Sequence, residues 1–149
     1  MVRQFRPDDM PALAALWVAA WEATLPAIDF AARLPWLEHH LARLQAAGVL
    51  VLCAVDADDR PLGFATLDPL SGEMDQLAVA PAAFGGGVAA ALLAAVKAAA
   101  PHRAQGRVVL SVNQDNPRAV RFYLREGVRV VGGGVNAGSG LAISRMEWP

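Results

Sequence analysis

The chain has 149 residues and a mass of 15.7 kDa, a length that supports one domain with a substantial hydrophobic core. With 55% hydrophobic and 18% charged residues it is too apolar for disorder, and 13 basic against 14 acidic residues leave no positive field to hold a nucleic acid. Its single cysteine, Cys53, precludes an internal disulfide, and no Cys/His cluster has metal-ligand spacing, so no metal site is expected and a reducing, cytoplasmic setting fits best.

Val2 to Arg6 is extended, and Pro7-Asp8-Asp9 makes a turn with a capping carboxylate ahead of a helix from Pro11 to Glu22. In that helix Leu13, Leu16, Trp17, Ala20 and Trp21 keep the spacing of one apolar face. A second helical run carries Phe30, Leu34, Leu37, Leu41 and Leu44 and stops at Gly48. Val49 to Val55 and Leu62 to Leu67 are the strands of a hairpin, joined by the turn residues Asp56 to Pro61. A third strand, Glu73 to Ala80, leads through Pro81 and a glycine cluster into an Ala/Leu helix that Pro101 ends. The apolar run from Val88 to Ala100 is interrupted by Lys97 and falls short of the roughly 20 residues of a membrane span. The N-terminus has no signal-peptide pattern, so the chain is expected to stay where it is made. A strand from Arg107 to Asn113 follows, then a helix from Asn116 to Glu126 with Asn116 as N-cap and Gly127 as its left-handed stop. Val128 to Val135 and Leu141 to Trp148 close the chain around a Gly-rich turn. The order β-α-α-β-β-β-α-β-α-β-β, without an internal repeat or a long linker, predicts a single α/β domain over residues 1–149 with a mixed sheet.

Two segments carry chemistry. In the first, Leu77-Ala78-Val79-Ala80-Pro81-Ala82-Ala83-Phe84-Gly85-Gly86-Gly87-Val88-Ala89, glycines stand between a strand end and a helix start, where backbone N–H groups and the helix dipole converge on an anion. No Gly-Lys-Ser/Thr is present, so this is not a P-loop, and Ala90 breaks the dinucleotide-binding spacing. The second segment runs from Asn113 through Asn116, Ala119, Phe122 and Tyr123 to Gly127.

Together these segments resemble the GCN5-related N-acetyltransferase (GNAT) superfamily. Its acetyl-CoA motif, Val-x-Pro-x-x-Arg/Gln-Gly-x-Gly-x-Gly/Ala, is matched by Val79, Pro81, Gly85, Gly87 and Ala89. Its next motif, Asn-x-x-Ala-x-x-Phe-Tyr-x-x-x-Gly-Phe, is matched by Asn116, Ala119, Phe122, Tyr123 and Gly127. Phe84 departs from the family's Arg or Gln and removes a side-chain partner for the pyrophosphate, and Val128 replaces an aromatic residue. The resemblance implies a mixed, mostly antiparallel central sheet flanked by helices, with acetyl-CoA as cosubstrate. Its pyrophosphate would lie on the amides of Phe84, Gly85, Gly86, Gly87, Val88 and Ala89, and its pantetheine beside Leu77, Ala78 and Val79 like an added strand. The Val79 N–H would then face the oxyanion.

Tyr123, the only tyrosine, falls where the family commonly holds the general acid toward the CoA sulfur. The Glu that serves some relatives as base is replaced here by Ser111, which leaves Asp75, by strand parity with Leu77 and Val79, or a water chain. The acceptor is expected beside the first two helices, with Trp17, Trp21 and Glu22 as its contacts, while the pair His39-His40 reads as a solvated face. The implied reaction is transfer of acetyl to the primary amine of a small molecule by direct attack. The alternatives are a CoA-binding sensor without turnover and an enzyme acting on a protein N-terminus or lysine. The superfamily also admits a homodimer through the Gly-rich last hairpin.

Overall fold

The computed structural model describes residues 1–100 and 107–149. Strand β1 (Val2–Gln4) leads through a 3-10 turn at Pro7–Asp9 into helix α1 (Met10–Thr24), and a second 3-10 turn, Ala31–Arg33, into α2 (Leu34–Ala46). Gly48, with φ of 86°, stands just past α2 as the expected stop. The hairpin of β2 (Leu50–Val55) and β3 (Pro61–Leu67) follows.

The expected cap at the start of α1 is not made, since no side chain bonds to its first turn. Arg3 takes the carboxylate instead: its Nη1 and Nη2 donate to the two Asp9 oxygens at 2.8 and 2.9 Å, and the Arg6 N–H adds a third bond at 2.7 Å. Arg3 Nε also reaches Asp59 at 2.8 Å, which ties β1 to the turn of the β2–β3 hairpin. Asp9 is buried, and its bonds from Arg3 hold its carboxyl below the ordinary carboxylate range against the opposing effect of burial. A carboxyl lowered in the folded state stabilises the protein above its unfolded pKa, and that stabilisation is lost as pH falls through the folded value. Urea unfolding of the native chain is therefore expected to show a midpoint that drops as the pH falls below about 4, with a flatter profile in Asp9→Asn. Equal slopes in the two proteins would remove Asp9 from the acid response.

Strand β3 lies between two cores. Phe64 faces Leu13, Leu16, Trp17, Leu37 and Leu41 from the first two helices, while Ala65 and Leu67 face Leu92, Leu93 and Val96 from α3 (Val88–Ala99). Alternation along a strand sends neighbours to opposite faces, and the apolar identity of both sets follows from this double burial. Gly63 is required for close approach, because a Cβ there would sit 2.7 Å from the Ala78 carbonyl oxygen and 3.1 Å from Leu92 Cδ1.

The single strand expected from Glu73 to Ala80 is in fact two, β4 (Glu73–Met74) and β5 (Leu77–Val79). The cause is Thr66, which is fully buried and whose Oγ1 accepts the N–H of both Asp75 and Gln76, at 3.1 and 3.0 Å. These two residues bulge out of the strand, so the parity that linked Asp75 to Leu77 and Val79 does not hold. After the bulge the sheet divides. β5 ends a four-stranded half ordered β1-β2-β3-β5, and β4 begins another that continues through β6 (Val108–Asn113), β8 (Ala142–Trp148) and β7 (Arg129–Val135). Among the described pairings only β4 with β6 is parallel, so the fold is mixed, mostly antiparallel and flanked by helices, as expected.

Helix α4 (Pro117–Arg125) starts as its sequence requires, with Asn116 Oδ1 accepting the Ala119 N–H at 3.2 Å, and stops at Gly127 with φ of 87°. The expected stop of α3 at Pro101 lies outside the described residues. No described helix is long and apolar enough to cross a membrane.

Candidate active site

The divided sheet opens a cavity of about 1090 Å³. One wall is Asp75 to Val79, the other Leu110 to Asn113, and the glycine loop with α4 closes one end. Arg33 of the second 3-10 turn and Trp36 of α2 line the opposite end, and the β7–β8 hairpin covers it with Asn136, Ser139 and Ile143.

Gly85 and Gly87 hold φ of 79° and 83°, a region in which other L residues are strained. A Cβ built on either meets nothing within 4 Å, so the loop presents bare backbone to open space. In α3 the first N–H with a backbone acceptor is that of Ala91, bonded to the Gly87 oxygen at 3.0 Å. Among the described residues the N–H groups of Val88, Ala89 and Ala90 find no acceptor, which is the arrangement an anionic diphosphate fits. Gly85, Gly87, Val88 and Ala89 line the cavity, as do Leu77, Ala78, Val79, Phe84, Asn116, Ala119 and Phe122. Gly86 does not line it, and its N–H turns back to the Ala83 oxygen at 3.2 Å.

Phe84 has a partner that the sequence did not reveal. The Arg118 guanidinium lies over its ring, 3.3 Å from the centroid, and lines the cavity. A guanidinium seated over an aromatic face is held in place without using its N–H groups, which leaves them able to reach an anion.

Tyr123 is buried beside Phe122, their ring centroids 5.2 Å apart, and it lines the cavity. Burial pushes its phenol above the ordinary tyrosine value, so the hydroxyl stays protonated at neutral pH. Ser111 also lines the cavity, but its Oγ accepts from Arg145 at 2.8 Å, and Arg145 in turn holds Glu73 at 2.9 and 3.1 Å.

Asp75 is the carboxylate on the opposite side of the opening. Its Oδ2 accepts His40 Nε2–H at 2.6 Å and Gln76 Nε2–H at 3.3 Å. Arg43, which can only donate, bonds His40 Nδ1 at 2.9 Å, and this fixes the histidine hydrogen on Nε2. His40 is therefore buried and oriented rather than part of a solvated face, while its neighbour His39 is exposed. The signal was present in the sequence, because His40 follows Leu37 by three residues and precedes Leu41, on the apolar side of α2.

Trp17 and Trp21 line the cavity, whereas Glu22 is exposed and does not. Cys53 is fully buried, and burial pushes its thiol up to about 12, which makes it a poor nucleophile.

The family model for the acetyltransferase (GNAT) family matches residues 10–128, and the chain belongs to that family. An uncharacterized N-acetyltransferase of Mycobacterium bovis is 41% identical over 78 residues, which are 50% of this chain and 50% of that protein. The chain thus spans about half the length of the curated relatives it matches. Among solved structures, the apo form of YjaB from Escherichia coli is 25% identical with a TM-score of 0.77, over 99% of this chain and 96% of that one. The PaiA N-acetyltransferase of Thermoplasma acidophilum, solved in complex with coenzyme A, shares the fold at 21% identity and a TM-score of 0.75, over 99% and 96% of the two chains.

Proposed function

We propose that residues 1–149 form one cytoplasmic acetyltransferase domain that moves acetyl from acetyl-CoA to the primary amine of a small molecule, without a covalent enzyme intermediate. The observation that carries the small-molecule reading is the cavity's boundary. α2 stands on one side and the β7–β8 hairpin on the other, which suits a compact acceptor better than an extended peptide.

Acetyl-CoA supplies a thioester whose C–S bond breaks as the amine nitrogen forms a C–N bond, yielding an acetamide and the CoA thiol. The chain's residues divide the remaining work. The free amides at the start of α3, with Arg118 held over Phe84, take the diphosphate, while the Phe84 and Gly86 N–H groups are already bonded to Pro81 and Ala83. The outer edge of β5 offers main-chain bonds to an extended arm, and the Val79 N–H is assigned to the developing oxyanion. Tyr123 donates a proton to the leaving sulfur, for which its burial and protonated state are suited. Asp75, oriented by His40, receives a proton from the amine, directly or through water. Among the described residues the outer strand β7 pairs only with β8, and it exposes Val130, Val131 and Val135; we assign this edge to a two-fold contact between two copies.

Thermal unfolding with acetyl-CoA, CoA and ATP tests the reading. Both CoA species are expected to stabilise the protein, by about 2.7 kcal/mol at 100 times their dissociation constants, and ATP is not. Thiol release should then require an added amine. No shift with either CoA species would overturn the proposal, and stabilisation with no thiol release from any amine would favour a CoA sensor.

A further inference from the structure

The acceptor end of the cavity is built around one carboxylate enclosed by aromatic rings. Trp17 Nε1–H donates to Gln76 Oε1 at 3.3 Å, and Gln76 Nε2–H donates to Asp75 Oδ2. On the other side His40 bonds the same oxygen, and its ring is stacked on Trp36 with centroids 4.6 Å apart and planes 14° apart. Trp36 and Trp17 meet with centroids 6.3 Å apart, so the contacts close into a ring: Trp17, Gln76, Asp75, His40, Trp36 and Trp17 again. Phe30 extends the wall, edge-on to Trp17 and stacked on Trp21, each at 5.5 Å.

Two features of this ring look outward. Both donors land on Oδ2, and no described residue bonds Oδ1, although the Asp75 side chain is 40% exposed and lines the cavity. Trp36 is 49% exposed, a large indole surface to leave in water, and it too lines the cavity. A free carboxylate oxygen on the same wall as the exposed Trp36 indole attracts an ammonium group by charge, and the ring quadrupole adds to that attraction, while the indole face covers a flat apolar body.

The charge count on this side sets the number of positive groups. Glu22 and Glu38 do not line the cavity, and Glu126 lines it from beyond α4, which leaves Asp75 the only carboxylate among the described residues of this wall. Arg33, its guanidinium 5.5 Å over the Phe30 ring, is a cation on the same wall and repels a second positive charge.

We propose that the acceptor is a monoamine carried on a flat apolar body, its ammonium group received by Asp75 and its body lying against the exposed indole of Trp36. This rests on the acetyltransferase reading above. Polyamines and aminoglycosides are selected against, because each brings further positive charges to a wall with one carboxylate and an arginine.

The test compares 2-phenylethylamine, spermidine, kanamycin and a lysine peptide by thiol release with acetyl-CoA, and by calorimetric binding to the CoA-loaded protein. The aromatic monoamine is expected to exceed the others at least about tenfold in kcat/KM and to bind with measurable heat. Trp36→Ala is expected to lower that value about tenfold, mainly through KM, with CoA affinity unchanged, and Trp36→Phe to recover much of it. Preference for spermidine, kanamycin or the peptide overturns this proposal and leaves acetyl transfer standing. Absence of binding by any of the four to a protein that holds CoA overturns it as well. Failure to hold CoA is a different result, which overturns the underlying reading.

Discussion

Tyr123→Phe is expected to lower kcat by about 10²- to 10⁴-fold with CoA affinity unchanged, the range for loss of a positioned proton donor. The substitution removes one hydroxyl and keeps the ring that packs against Phe122, so the fold has no reason to change. Because burial raises the phenol, the wild-type rate should not fall through the ordinary tyrosine range at alkaline pH on account of this group. Steady-state kinetics of the two proteins, with CoA affinity measured in parallel by calorimetry, decide the matter. Unchanged turnover in the variant would reduce Tyr123 to a packing residue.

Phe64→Ala is expected to destabilise the fold by about 3–5 kcal/mol, the cost of emptying a large, completely enclosed side chain. Phe64 is fully buried on β3 and is contacted by the core of both α1 and α2, so collapse of the surrounding walls is restricted from two sides. Leu70→Ala serves as control: Leu70 is 68% exposed, and its loss should stay within about 0.5 kcal/mol. Urea unfolding of the three proteins gives the comparison. A cost below about 1 kcal/mol for Phe64 would mean that the first two helices are not docked on β3 as described.

The parts of the protein that were legible in the sequence are those whose causes are local. Helix α4 was readable because Asn116 caps it and Gly127 stops it within a dozen residues. The glycine loop was readable because Gly85 and Gly87 sit between a strand end and a helix start. What escaped depends on partners far along the chain. Asp9 reads as a cap until Arg3 is seen to take its carboxylate. Glu73 to Ala80 reads as one strand because the hydroxyl that breaks it belongs to Thr66 on another. The stacking of Arg118 on Phe84 and the bond from His40 to Asp75 join residues more than 30 positions apart. Periodicity could bury His40, but no periodicity names the group it meets.

The bulge at Asp75 and Gln76 has a thermodynamic consequence. Because Thr66 satisfies both amides inside the folded protein, the sheet is already parted and the outer edge of β5 already bare before any ligand arrives. A molecule that pairs with that edge breaks no backbone hydrogen bond on entering. The free energy of separating the strands belongs to folding, and association is opposed chiefly by the ligand's own loss of freedom. The opening is preorganised, and its affinity is set by the groups that line it rather than by the work of creating it.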